Sequence, residues 1–183
     1  MVVQRRFSIQ RWLISVTVVG VLTLCASHAA SAADRALHHP LIGSAAPDFA
    51  ERLINGTGRN FRLSEQRGDV VLLGFWTSWC GSCRAYLERL AKLNATYASA
   101  GLVVVGISLD DKTEAAVDIV RALGLRFANV ADTQKVLGRR FAVSDVPLVL
   151  LVDRSGIVRF GHGELDAVAD AALVAELRRL LDE

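Results

Sequence analysis

Cysteine is scarce in this sequence, which contains three cysteines in 183 residues. Cys25 lies in an apolar N-terminal segment, so Cys80 and Cys83 are the pair left in the rest of the chain. Small secreted domains that depend on a disulfide framework are dense in cysteine, and this chain does not belong to that class. A disulfide across so short a loop also removes little entropy from the unfolded chain. A structural staple therefore does not explain the pair.

Histidine is sparse as well. Beyond residue 32 the chain contains His38, His39 and His162, with no histidine between positions 39 and 162. A structural zinc site takes about four ligands, and no second cluster of ligands accompanies the two cysteines. We therefore expect no metal site, and nothing in the composition or the motifs calls for a cofactor.

A basic surface is missing once the N-terminal segment is set aside. The chain carries a net charge of +2, but Arg5, Arg6 and Arg11 lie in residues 1–32, which contain no acid. Subtracting these three from the 21 Lys and Arg leaves 18, against 19 Asp and Glu. Nucleic-acid-binding proteins carry a basic patch or stripe, so we expect no nucleic-acid partner.

The apolar run near the N-terminus is short. It extends from Trp12 to Ala26, 15 residues, whereas a membrane-spanning helix needs about 20. Arginines precede it and small residues ending in ASA at 30–32 follow it, a layout typical of a cleaved secretory signal. We predict a signal peptide over residues 1–32 and one domain over 33–183, in the periplasm or another extracytoplasmic space. An uncleaved membrane anchor is the alternative.

The remaining sequence alternates between strand and helix patterns. Short apolar runs predict buried strands, an alternating run predicts a half-exposed strand, and turn formers at 55–60 predict a hairpin. Apolar residues at helical spacing predict helices, and Asp132 is the expected N-cap of the third one. Strands are predicted at 69–76, 102–109, 147–153 and 157–161, and helices at 80–98, 110–124, 132–141 and 166–183.

This alternation indicates an α/β fold with helices on both faces of a sheet. Hydrophobic residues make up 52% of the chain and charged residues 22%, a composition that supports a packed core.

The cysteine pair lies where a buried strand gives way to a helix. A thiol at a helix N-terminus meets unpaired backbone N–H groups that favour an anion, so Cys80 is expected to have a lowered pKa and to act as the nucleophile. Cys83 follows one turn later on the same face and would be the more buried, resolving thiol. A C-x-x-C motif in this α/β context indicates a redox pair.

The segment WTSWCGSC, residues 76–83, resembles the active-site segment of the thioredoxin superfamily. Together with residues 41–75, GISLDD at 106–111 and VPLVLLVDRSGIV at 146–158, it is similar to the exported TlpA/ResA-like branch. The resemblance covers residues 41–183. It implies a thioredoxin-like fold: a central mixed sheet with helices on both faces and an N-terminal hairpin extension.

The resemblance also implies residues that meet the substrate. Pro147 would be a cis-proline facing the disulfide, and the backbone of Val146 would pair with an extended client segment. Trp79 would shield the disulfide and offer a docking surface. Judged without the resemblance, Pro147 is a trans-proline at a strand start, and Trp79 is equally explained by core packing.

The chain departs from the family pattern at several positions. Proline is common in the family where Ser82 stands, so Gly81 and Ser82 are the expected redox-tuning residues. The branch often has an acid at the position of Tyr86 and a proline at that of Glu88, and thioredoxins have a buried aspartate at that of Gly74. We therefore expect proton transfer at the buried thiol to use water or another group.

The leading functional prediction is a monomeric thiol–disulfide oxidoreductase that reduces client protein disulfides with electrons from a membrane donor. A thiol peroxidase is one alternative, because Thr77-x-x-Cys80 resembles the peroxiredoxin motif, although Leu73 stands where that motif has proline. A copper-binding module is another, with His162 as the distant ligand. We expect His162 instead to be a solvated loop residue.

Overall fold

The computed structural model describes residues 39–56 and 58–183, and this part of the chain contains seven strands and four α-helices. The predicted signal peptide, with Cys25, lies outside the described residues. The strands are β1 (Ala50–Arg52), β2 (Asn60–Arg62), β3 (Val70–Trp76), β4 (Leu102–Ser108), β5 (Ala128–Ala131), β6 (Leu148–Val152) and β7 (Val158–His162). The helices are α1 (Cys83–Tyr97), α2 (Thr113–Ala122), α3 (Val136–Arg140) and α4 (Ala167–Asp182).

A five-stranded mixed sheet with the order β5-β4-β3-β6-β7 forms the centre of the fold. The central strand β3 pairs in parallel with β4 and antiparallel with β6. Strands β1 and β2 form a separate antiparallel hairpin around the predicted turn. The mixed sheet and the N-terminal hairpin extension are therefore confirmed.

Two hydrophobic cores lie on opposite faces of the sheet. All seven residues of β3 are buried, and successive side chains of a strand point to opposite faces. Val70, Leu72 and Trp76 pack in the core that includes residues of α1, α2 and α4. The intervening side chains pack with residues of α3 and the hairpin. A strand buried on both faces has a continuous apolar sequence, which is why this run was recognisable.

The segment before and after β1 covers both edges of the sheet. At the β7 edge, Gly43 N donates to Val158 O and Val158 N donates to Ser44 O. At the β5 edge, Leu53 forms an isolated bridge with Val130. The outer strands therefore meet backbone partners from the N-terminal part of the described chain.

Three predicted helix starts differ from the structure by three or four residues. The helices predicted from residues 80, 110 and 132 begin at Cys83, Thr113 and Val136. Asp132 is not the N-cap residue, because a turn in which Lys135 N donates to Asp132 O precedes the helix. Its carboxylate nevertheless accepts hydrogen bonds from Val136 N and Gly138 N at 2.8 Å.

Among the described residues, no helix is both long enough and apolar enough to cross a membrane.

The N-terminus of α4 gives a test of helix capping. Asp166 accepts hydrogen bonds from the backbone N–H groups of Val168 and Ala169. We expect Asp166→Ala to lower the free energy of unfolding by about 1 kcal/mol, measured by urea denaturation. Asp118→Ala, at an exposed position on α2, should cost less than about 0.5 kcal/mol. Equal losses in the two variants would contradict the capping role.

Candidate active site

The two cysteines lie at one edge of the sheet, where β3 ends. Residues 77–82 form the turn between β3 and α1, and Cys83 is the first residue of the helix. Because β6 runs antiparallel to β3, its first residue, Leu148, lies opposite Phe75 near the end of β3. The sheet therefore brings the cysteine turn and Pro147 to the same edge.

Cys80 and Cys83 form a disulfide with a Cα–Cα distance of 5.3 Å. Cys83 is buried, with 1% of its surface exposed, whereas Cys80 is only partly buried. A partner sulfur approaching from solvent therefore meets Cys80 first. Cys80 precedes α1 by three residues and is not its first residue, which corrects the expected placement at the helix N-terminus.

Ser82 is the N-cap residue of α1, but its side chain makes no capping hydrogen bond. Its hydroxyl lies instead 3.7 Å from the sulfur of Cys80. Gly81, between Cys80 and Ser82, is exposed, and a Cβ atom there would have no neighbour within 4 Å. Of the two expected tuning residues, Ser82 is therefore the one with a polar group near the accessible sulfur.

The Val146–Pro147 peptide bond is cis, as the resemblance implied. The carbonyl oxygen of Val146 lies 3.8 Å from the sulfur of Cys80. The trans alternative is therefore wrong, and the backbone just before β6 lies directly beside the disulfide.

Trp79 is one of the most exposed large apolar residues in the described chain, at 77%. The core-packing alternative for this residue is wrong, whereas Trp76, at the end of β3, is fully buried. A cleft of about 210 Å³ lies beside the turn, and its lining includes Trp79, Cys80 and Ile119. A larger groove of about 470 Å³, whose lining includes Ser82 and Pro147, lies between α1 and the start of α4.

Gly74 and Tyr86 are adjacent in space. A Cβ atom at Gly74 would lie 2.7 Å from the Tyr86 hydroxyl and 2.5 Å from Leu90 Cδ1. The buried Tyr86 hydroxyl donates to the carbonyl oxygen of Leu148 at 3.0 Å, and burial raises the pKa of Tyr86 well above its usual value. The phenol therefore stays neutral at physiological pH and links α1 to the first residue of β6.

Asp110 is a polar residue at this edge that the sequence interpretation overlooked, because it was assigned to the start of the following helix. It lies two residues beyond the end of β4 and is buried. Its carboxylate accepts hydrogen bonds from Ser78, in the turn that carries Cys80. In the sequence, an acid directly after a buried strand, at the edge where β3 also ends, is the feature that indicates a contact with the cysteine turn.

His162 is not the solvated loop residue that we expected. It is the last residue of β7, 4% exposed, and its Nε2 lies 2.5 Å from Glu176 Oε2. Among the described residues, no group of three or more histidine, cysteine, aspartate or glutamate side chains is placed to hold a metal ion.

A mixed five-stranded sheet, a C-x-x-C disulfide after its central strand and a cis-proline beside it define a thiol–disulfide oxidoreductase of thioredoxin-like fold. Residues 42–160 match the model of the AhpC/TSA family. The match covers more than half of the chain, and the chain belongs to this family.

Proteins of similar sequence are named for thiol–disulfide exchange. The chain is 34% identical over 133 residues to the thiol:disulfide interchange protein DsbE of Yersinia pestis, covering 71% of this chain and 69% of that protein. It is 30% identical over 118 residues to the thiol-disulfide oxidoreductase ResA of Geobacillus thermodenitrificans, covering 64% and 67%.

A solved structure confirms the fold. The crystal structure of a Chlorobium tepidum protein assigned as a thiol:disulfide interchange protein DsbE superposes with a TM-score of 0.72 at 33% identity. The superposition covers 76% of this chain and 97% of that one.

The close packing at Gly74 gives a stability test. We expect Gly74→Ala to lower the free energy of unfolding by about 1–3 kcal/mol, because the added methyl group overpacks against Tyr86 and Leu90. Gly81→Ala is the matched control, since its methyl group would meet open space, and it should change stability by less than about 0.5 kcal/mol. Urea denaturation of the oxidised proteins measures both. A neutral Gly74→Ala would contradict the packing described here.

Proposed function

We propose that this oxidoreductase reduces disulfides in client proteins outside the cytoplasm. The Cys80 thiolate attacks one client sulfur and forms a mixed disulfide, and the other client sulfur leaves as a thiolate and takes up a proton. Cys83 then attacks the Cys80 sulfur and releases the second client thiol. Two electrons pass to the client, and the Cys80–Cys83 disulfide forms. The observation that carries this proposal is the asymmetry of the pair, since Cys80 is accessible and Cys83 is buried.

The client segment is proposed to dock beside the disulfide. An extended client chain would pair with the backbone of Val146 by strand addition. Pro147 has no N–H, so the backbone pairing at this point would be made by Val146. The carbonyl of Val146 lies next to the sulfur of Cys80, which supports this placement. The exposed indole of Trp79 would supply apolar contact on the same side.

The extracytoplasmic location follows from the signal peptide proposed for residues 1–32, which leaves a domain over 33–183. Client disulfides form and persist in oxidising compartments, so a reductase there needs a continuing supply of electrons. We propose that a membrane-bound donor reduces the Cys80–Cys83 disulfide after each cycle. The domain is proposed to work as a monomer, because one chain contains both thiols and the proposed client-binding residues.

Variants of the two cysteines test this cycle. We expect Cys80→Ser to lower the reduction of insulin disulfides by dithiothreitol to the rate of dithiothreitol alone, because the attacking sulfur is lost. Cys83→Ser should accumulate a mixed disulfide with a client peptide, visible on a non-reducing gel, because release needs the second thiol.

The thiol peroxidase alternative rests on the Thr77-x-x-Cys80 motif and is tested in the same assays. The disulfide partner of Cys80 is Cys83, three residues later at the start of α1. A resolving thiol this close in the chain fits disulfide exchange. Hydrogen peroxide consumption as fast as the catalysed reduction of insulin, or insulin reduction by Cys80→Ser above the rate of dithiothreitol alone, would contradict the proposal.

The position of Ser82 predicts a change in the reduction potential. In the reduced protein its hydroxyl would donate to the Cys80 thiolate, and a hydrogen bond to the charged form lowers the pKa of a thiol. Ser82→Ala should therefore raise the pKa of Cys80 and destabilise the reduced state. One hydrogen bond of about 1 kcal/mol corresponds to a potential about 20 mV more negative.

Equilibration with glutathione measures this potential. Ser82→Thr is the control, because it keeps a hydroxyl and should stay near the wild-type value. A potential in Ser82→Ala equal to the wild type, or more positive, would contradict a tuning role for Ser82.

A further inference from the structure

The carboxylate of Asp110 is buried behind the active-site turn. It is 4% exposed, and it forms no ion pair in the part of the chain that the structure describes. Ser78 N lies 3.0 Å from both of its oxygens, and Ser78 Oγ lies 2.7 Å from Oδ1. Ser108 Oγ, at the end of β4, donates to Oδ2 at 2.7 Å. The backbone N–H of Asp110 donates to Ser108 Oγ at 3.1 Å.

These contacts connect the cysteine turn to the sheet. Ser78 lies two residues before Cys80, and the turn's own backbone hydrogen bonds are long: Cys80 N to Thr77 O at 3.4 Å and Cys83 N to Cys80 O at 3.2 Å. The Thr77 hydroxyl has no hydrogen-bond partner in the structure. The shortest hydrogen bonds of the turn's N-terminal half are therefore the ones that Ser78 makes to Asp110.

We propose that Asp110 is a positioning residue for disulfide exchange. By holding Ser78 against the end of β4, it places the sulfur of Cys80 beside the Val146 carbonyl, where a client sulfur would approach. A displacement of the attacking atom by about 1 Å can slow a reaction as much as a hundredfold. The proposal rests on the exchange reaction proposed above for Cys80, and it adds a residue 30 positions away that acts through the turn.

The two serines that contact Asp110 provide a matched pair of variants. Each donates one hydrogen bond of 2.7 Å to the same carboxylate, but Ser78 belongs to the turn and Ser108 to the strand. A purely structural role predicts similar effects of Ser78→Ala and Ser108→Ala on stability and on rate. A positioning role predicts that only Ser78→Ala slows the reaction.

The rate to measure is that of the fully reduced protein with oxidised glutathione, followed by stopped-flow tryptophan fluorescence. We expect Ser78→Ala to lower the second-order rate about fivefold, the loss equivalent to one hydrogen bond. Ser108→Ala should stay within about twofold of the wild type even if it is the less stable variant, and Ser78→Thr should restore the rate. Alkylation of Cys80 by iodoacetamide should stay within about twofold throughout, since the thiolate fraction is retained.

Three results would overturn the proposal: an unchanged rate in Ser78→Ala, an equal fall in Ser108→Ala, or an alkylation rate that falls in parallel with the exchange rate. Asp110→Ala removes all the hydrogen bonds of this side chain at once and should lower the rate of exchange with glutathione more than tenfold. If that variant does not fold, the comparison of Ser78→Ala with Ser108→Ala decides the question. Reaction with glutathione does not depend on a client. A wild-type protein that exchanges with glutathione but reduces no protein disulfide would therefore contradict the proposed function and leave the positioning role measurable.

Discussion

The burial of β3 on both faces is the constraint on which the active-site edge depends. Each side chain of the strand is enclosed by one of the two cores, so its register against β4 and β6 cannot slip without exposing apolar groups. The turn that carries Cys80 leaves from the end of this strand, Asp110 follows β4, and Pro147 precedes β6. The three segments of the site are thus held together by a strand that contributes no reacting atom.

The polar groups closest to Gly74 and to the accessible sulfur are uncharged. The polar group nearest to the Cβ position of Gly74 on β3 is the neutral phenol of Tyr86, and the polar side chain near the accessible sulfur is the hydroxyl of Ser82. The buried carboxylate that contacts the cysteine turn, that of Asp110, accepts hydrogen bonds from two serines. Hydrogen bonds from neutral donors can shift a thiol's pKa by favouring its charged form. In this chain, hydroxyl groups can therefore shift the pKa of the thiols without the negative charge that a carboxylate would add.

The sequence predicted features that depend on local pattern. The apolar runs of β3, β4 and β6 and the spacing of Cys80 and Cys83 were sufficient to place the redox pair after a buried strand, and the resemblance supplied the cis-proline. The errors concern contacts that local pattern does not encode. The Asp110–Ser78 contact joins residues 32 positions apart, and the buried ring of His162 contacts Glu176 of α4, 14 positions later.

The covering of both sheet edges has a consequence for self-association. An exposed edge strand presents unpaired N–H and C=O groups that invite pairing with another chain. Here residues 43–46 cover part of the β7 edge, and the stretch around Leu53 and Ile54 covers part of the β5 edge. One short stretch of chain thus occupies part of both edges of the sheet and leaves fewer backbone groups there for another chain to pair with. The client proteins proposed above would therefore meet a sheet with few open strands to pair with.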